Sequence, residues 1–141
     1  MPVMTKEQWR AFLTERPRTG KLATVRADGS PHVVPVWYDL DGDEIVFQTS
    51  EHTVKGRGMR RDPRVCMCVD DETPPFAFVM VEGTARFSSE PGELLYWATR
   101  LGGRYMGADR AEEYGRRNGI PGELLVRVTP TRVVAEDKLS D

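Results

Sequence analysis

Histidine and cysteine are scarce in this chain, and several familiar catalytic signatures are missing altogether. Two histidines and two cysteines occur among 141 residues. Cys66 and Cys68 stand two apart in VCMCV; on a strand both point to one face, and neither can easily close a disulfide with the other. They are expected to be reduced, as core or half-core residues. A metal pair would need His32 or His52 as further ligands, and neither stands at a zinc-ligand spacing from the cysteines. No metal site is expected. No run of 18 apolar residues occurs, and the N-terminal MPVMTKEQWR lacks the apolar core of a secretion signal, so a cytoplasmic protein without membrane association is expected. No GxGxxG follows a strand pattern, and neither a Walker A nor a GxSxG motif is present, which removes the common nucleotide and hydrolase signatures. Neither sign of charge dominates: the formal net charge is -2 and the pI about 5.8, which argues against wholesale nucleic-acid binding.

What the chain does contain is an ordinary globular composition, 39% hydrophobic and 30% charged. Its length predicts one domain over residues 1–141 with one core, since two smaller cores would need metals or disulfides. Thr5 and Gln8 make a capping box ahead of Trp9, Phe12 and Leu13, predicting a helix over about Lys6 to Glu15. LATVRA, the turn DGSP and HVVPVWYDL then predict a hairpin, and a turn at Asp41-Gly42-Asp43 leads to a third strand, EIVFQTS, so that a three-stranded antiparallel meander is expected. RVCMCVD and FAFVMVEGTARFS read as strands four and five, with Gly83 as a candidate bulge. Ser89 with Pro91 two residues later starts a helix with an apolar stripe to Gly102-Gly103, another helical piece covers Ala108 to Arg117, and ELLVRVTPTRVVAE is a last strand interrupted at Pro130. The tail DKLSD is expected to fray. Six antiparallel strands with flanking helices predict a mainly β fold, a closed or split barrel that removes sheet edges.

The charge is uneven in one place. Between Lys55 and Arg64 five cations, Lys55, Arg57, Arg60, Arg61 and Arg64, face Asp62 alone. Thr49, Ser50 and Thr53 add hydroxyls beside them, a mixture suited to a phosphate group. The competing reading of such a run is a solvated helix face. A nucleic-acid contact is disfavoured by the acidic pI and the lack of interleaved aromatics.

The order LATVRADGSPHVVPVWY, IVFQTSEHTVKGRGMRRDPRVCMCV, FVMVEGTARF resembles the pyridoxamine 5′-phosphate oxidase-like flavin-binding split barrels. The lysine after a hydroxyl-bearing loop, RRDPRV and VEGTA look most like the actinobacterial branch that uses the deazaflavin coenzyme F420. The resemblance implies a six-stranded antiparallel split β-barrel whose cofactor phosphate is held by Thr49, Ser50, Thr53, Val54 and Lys55. Val36 and Trp37 would lie along the ring, with Phe76, Ala77 and Phe78 lining the same groove. Arg57, Arg60 and Arg61 are near enough in sequence to meet the phosphate or a trailing polyglutamate. FMN-dependent oxidases of the family usually place a second cation before the lysine, where this chain has Val54; that favours coenzyme F420 over the alternative, FMN. The arginine-rich, histidine-bearing C-terminal segment that holds pyridoxal phosphate in those oxidases is also missing, so vitamin B6 oxidation is not expected.

The implied activity is hydride transfer from a reduced deazaflavin to an electron-poor small molecule such as an enone, quinone or tetrapyrrole. Trp37, Trp97, Tyr105 and Met106 are candidate walls for that acceptor, although large aromatics such as Trp97 are more often core or interface anchors. The family also implies a homodimer with its sites at the interface. Non-catalytic storage of the same cofactor, or haem binding, are the rival functions.

Overall fold

The structure is a computed structural model that describes residues 2–141. It is mainly β, an antiparallel sheet with flanking helices. The elements run α1 (Lys6–Thr14), β1 (Gly20–Val25), β2 (Pro31–Val36), β3 (Asp39–Asp41), β4 (Glu44–Ser50), α2 (Val54–Arg61), β5 (Arg64–Asp71), β6 (Ala77–Ser88), α3 (Pro91–Met106), a 3-10 turn (Ala108–Arg110), α4 (Ala111–Asn118) and β7 (Glu123–Glu136). Local chemistry explains most boundaries. The capping box at Thr5 and Gln8 forms as expected, and Pro91 occupies the first turn of α3, whose N-cap is Glu90 rather than Ser89.

The expected meander does not form, and the reason lies at Trp37 and Tyr38. The strand foreseen from His32 to Leu40 is broken there: β2 pairs with β1, β3 pairs with β4, and β4 pairs with β7. The order across the sheet is β2-β1-β5-β6-β7-β4-β3, seven strands instead of six. At the break a side chain replaces the strand neighbour. The Tyr38 N–H donates to the Tyr105 hydroxyl at 3.1 Å, and that hydroxyl lies 2.6 Å from the Arg18 carbonyl and 3.2 Å from the Tyr38 carbonyl. Tyr38 itself is fully buried and donates its hydroxyl to the Leu13 carbonyl at 2.7 Å. A flat sheet of seven strands would be about 29 Å wide, yet its two edge strands are joined by two residues, which span at most about 11 Å between Val36 and Asp39. The sheet therefore curls until its edges approach at this end, although no ladder joins β2 to β3 among the described residues.

The bulge expected at Gly83 is present, as a register shift between Glu82 and Gly83 opposite Pro130. A Cβ at Gly83 would stand 2.5 Å from the Thr129 carbonyl oxygen, so the close approach requires glycine. Pro130 does not interrupt β7, because the bulge absorbs it. The inner face of the curled sheet forms the main core, to which α1 contributes Trp9, Phe12 and Leu13. A second cluster, Val46, Leu94, Trp97 and Leu125, lies where α3 covers β4 and β7. α3 continues through Gly102-Gly103 to Met106, since the glycines let α4 pack closely. The C-terminal tail is tied down rather than frayed: Asp137, Leu139 and Ser140 donate backbone hydrogen bonds to the carbonyls of Pro2, Phe76 and Pro75.

Among the described residues α2 reaches β1 and α1 reaches β6, and no helix packs extensively on β2 or β5. Burial alternates along these strands, and the outward residues include Val33 on β2, Ala23 on β1, Cys66 and Cys68 on β5, and Met80 on β6, beside the charged Lys21, Asp70 and Glu82. Both cysteines are free and half-buried, and burial pushes their thiols up. Among the described residues no group of histidine, cysteine and acidic side chains could hold a metal ion, and no helix is long and apolar enough to cross a membrane.

Candidate functional site: a lysine cavity beside the β4–α2 turn

The turn from β4 into α2 is built by its hydroxyls. Thr53 is the N-cap of α2, its Oγ1 accepting from the Gly56 N–H at 3.0 Å and donating to the Ser50 carbonyl at 2.9 Å. That donation uses the only hydroxyl proton of Thr53, so Thr49 is the donor across the 3.0 Å contact between the two side chains. Ser50 accepts from the His52 N–H at 3.2 Å. Two glycines set the helix down tightly. A Cβ at Gly56 would come 2.3 Å from the Ser50 carbonyl oxygen, and one at Gly58 would stand 2.9 Å from that of Val25.

This frame directs Lys55 into a cavity of about 270 Å³, where it meets Val36, Trp37, Gln48, Asn118 and Glu123. Lys55 is half-buried; desolvation lowers the pKa of its ammonium, while Glu123 across the cavity opposes that shift. The carboxyl of Glu123 is in turn raised by burial and lowered by Lys55. The Trp37 ring stacks on Tyr105 with centroids 5.1 Å apart and planes within 3°. Gln48 donates to the Leu94 carbonyl at 2.8 Å, leaving its side-chain oxygen free to accept.

The expected site residues thus fall into separate places. Val36, Trp37 and Lys55 share the cavity. Thr49, Ser50 and Thr53 stand next to it, but their hydroxyls are engaged in the turn, and Val54 opens α2 with 42% exposure. Arg57, Arg60 and Arg61 line a different, shallow depression of about 500 Å³ with Glu51 and His52. Arg60 also lies over the Phe87 ring, 5.6 Å from its centroid. Phe76, Ala77 and Phe78 stand at the start of β6, where Ala77 pairs with Asp71 and Phe78 with Asp70 and Glu136; they do not line the lysine cavity. Phe76 is half-exposed with φ 63°. Trp97 is 6% exposed in the α3 cluster, with the Arg100 and Arg127 guanidinium groups over its ring. Tyr105 backs Trp37 and fastens the β2–β3 break, and Met106 ends α3 half-buried. Gln48, Asn118 and Glu123 went unnoticed in the sequence. Gln48 carried a weak signal, as the one amide in the apolar run of β4; Asn118 and Glu123 carried none.

A larger cleft, about 1090 Å³ between α1, β3 and α3, has cations that are already engaged. Lys6 and Arg10 pair with Asp43, Arg100 pairs with Asp39, and Arg104 donates to the carbonyls of Leu13, Thr14 and Arg16. Lys55 differs in forming no ion pair within 4 Å among the described residues, Glu123 acting on it only from farther off, which leaves its charge available to a ligand.

Comparison with known proteins agrees with this frame. The family model described as pyridoxamine 5′-phosphate oxidase matches residues 5–136. The chain belongs to the pyridoxamine 5′-phosphate oxidase family. A reductase of Streptomyces rimosus named for 5a,11a-dehydrotetracycline and 5a,11a-dehydrooxytetracycline is 31% identical over 133 residues, covering 84% of this chain and 86% of that protein. A solved structure titled F420 reductase is 30% identical, covers 87% of this chain and 94% of its own, and superposes with a TM-score of 0.70. The crystal structure of a conserved hypothetical protein of Mycobacterium tuberculosis superposes with a TM-score of 0.85 at 28% identity, over 99% of this chain and 88% of that one.

Proposed function

We propose that this family member is a reductase that uses coenzyme F420 to deliver hydride to an electron-poor small molecule such as an enone, quinone or tetrapyrrole. The observation that carries this reading is Lys55, a half-buried ammonium without an ion pair within 4 Å among the described residues, in one cavity with the half-buried Trp37. Two relatives named as reductases, one of them an F420 reductase, support it. Lys55 would hold the cofactor phosphate, and Val36 and Trp37 would lie along its ring. Arg57, Arg60 and Arg61, in their own depression on the same helix, suit a trailing acidic tail better than the phosphate itself. Val54 stands where FMN-dependent relatives carry a second cation, which favours the deazaflavin over FMN.

When bound, the deazaflavin supplies a two-electron hydride donor that reacts poorly with oxygen. The chain's own residues have the task of placement. Trp37, held in one orientation by its stack on Tyr105, offers a flat wall, and fixing donor and acceptor near contact supplies about 7–11 kcal/mol of barrier lowering in favourable cases. Phe76, Ala77 and Phe78 lie apart from Lys55 within one chain, so they would complete a groove supplied by a second copy. A homodimer formed through the outer sheet face, with β2 and β3 as two halves of one bent strand in a six-stranded split barrel, accounts for both features.

The test is acceptor-dependent oxidation of reduced coenzyme F420, followed by its absorbance over a panel of quinones, enoates and tetrapyrroles. Turnover with at least one acceptor, abolished or reduced in Trp37→Ala, is expected. Tight binding of the cofactor without turnover on any acceptor would favour storage of the same cofactor instead.

A further inference from the structure

The lysine cavity holds something a plain phosphate cradle lacks: a carboxylate facing the ammonium. Glu123 opens β7, where its backbone pairs with Ser50 of β4 and its N–H donates to the Ile120 carbonyl. The strand therefore fixes Glu123 opposite the first turn of α2. The two charged side chains face the same space of about 270 Å³ without forming an ion pair within 4 Å, which leaves room for a third group between them. The other groups facing that space are uncharged: Pro35, Val36 and Trp37 at the end of β2, Gln48 from β4, Ala98 and Leu101 from α3, and Asn118 from α4. The charges nearby are turned elsewhere. Arg117 lies over the Tyr114 ring at 5.4 Å, and Glu51 contacts His52 at 3.4 Å.

An anion drawn to Lys55 must also approach Glu123. In a half-buried space with little water to screen them, two negative groups at contact distance repel strongly. We propose that Glu123 is the counter-charge that Lys55 faces when no ligand is present, and that binding of the cofactor phosphate is coupled to uptake of one proton from solvent by the Glu123 carboxyl. This rests on the reading that the phosphate lies at Lys55. The electrostatics favour the coupling in each step. Burial already raises the Glu123 carboxyl, and the field of Lys55 is what holds it down. An arriving phosphate cancels that field and adds its own repulsion, so both remaining influences favour the neutral acid. Once protonated, Glu123 becomes a hydrogen-bond donor to a phosphate oxygen, and repulsion turns into attraction. The sign follows: affinity rises as pH falls through the range in which Glu123 takes up its proton, and is weakest where Glu123 is fully ionised.

The experiment is calorimetric titration of the full chain with coenzyme F420, and with FMN as a second probe, in buffers of different ionisation heat. Wild type, Glu123→Gln, Glu123→Asp and Lys55→Ala are compared. Protonation of the ligand itself is common to all and cancels in the comparison. Near pH 8, wild type should take up about one proton more than Glu123→Gln. Uptake of one proton makes affinity change about tenfold per pH unit, so Glu123→Gln should bind at least about tenfold tighter there, with the advantage fading toward pH 5. Glu123→Asp, which keeps a carboxyl, should retain the proton uptake, and this guards against a general disturbance of the strand. Equal proton counts in wild type and Glu123→Gln, or equal or weaker affinity in Glu123→Gln, would overturn the proposal. Lys55→Ala separates the two levels. If it weakens binding while Glu123→Gln behaves as wild type, the coupling falls and the site stands; if it binds as wild type does, the site reading falls and the coupling with it.

Discussion

Tyr105 shows how much one side chain can decide. Its hydroxyl stands in for a strand neighbour at Tyr38, and its ring fixes Trp37 at the mouth of the lysine cavity. Burial raises the pKa of that hydroxyl, so it remains a neutral donor at ordinary pH and can serve the Arg18 carbonyl. Tyr105→Phe keeps the stack but leaves a part-buried N–H and a carbonyl without their partner. A loss of about 1–3 kcal/mol is expected in urea unfolding, and an unchanged midpoint would show that water replaces the hydroxyl at no cost. Lys55 was legible in the sequence because its hydroxyl-bearing loop precedes it directly. Glu123 was not, because 68 positions separate it from Lys55 in the chain and only the β4–β7 ladder brings the two together.

At the scale of elements, local signals proved reliable and long-range pairing did not. The capping box of α1, the hairpin from β1 to β2, the helix of the basic stretch and the bulge at Gly83 each rest on residues close in sequence. The meander failed because HVVPVWYDL has strand character throughout, and its break depends on Tyr105, 67 residues downstream. The glycines of α3 were misread in a related way: Gly102-Gly103 looks like a helix end, but a Cβ at Gly102 would stand 2.4 Å from the Cβ of Tyr114 on α4. Gly102→Ala therefore sets about 1 kcal/mol of gained helix propensity against about 1–3 kcal/mol of overpacking at a backbone-fixed atom. Net destabilisation is expected, visible as a lower unfolding midpoint with an unchanged denaturant slope. A stabilised variant would mean that α4 shifts without cost.

The whole molecule presents a sheet face that mixes apolar and charged residues, with Val33 64% exposed, Cys66, Cys68 and Met80 outward, and the Lys21–Asp70 ion pair beside them. An exposed face of this kind is a candidate for self-association. Sedimentation should find about twice the 15.9 kDa chain mass, and Met80→Glu should shift the population to monomer by burying a charge at the contact. A monomeric wild type would leave Phe76, Ala77 and Phe78 without a route to the lysine cavity. The account as a whole depends on Lys55 gripping the anionic arm of a ring-shaped redox cofactor. The most direct test is a fluorescence titration of wild type and Lys55→Ala with coenzyme F420. A loss of at least about 1.5–3 kcal/mol of binding free energy, the value of one charge-assisted hydrogen bond, is predicted for Lys55→Ala; equal affinity in the two proteins would contradict it.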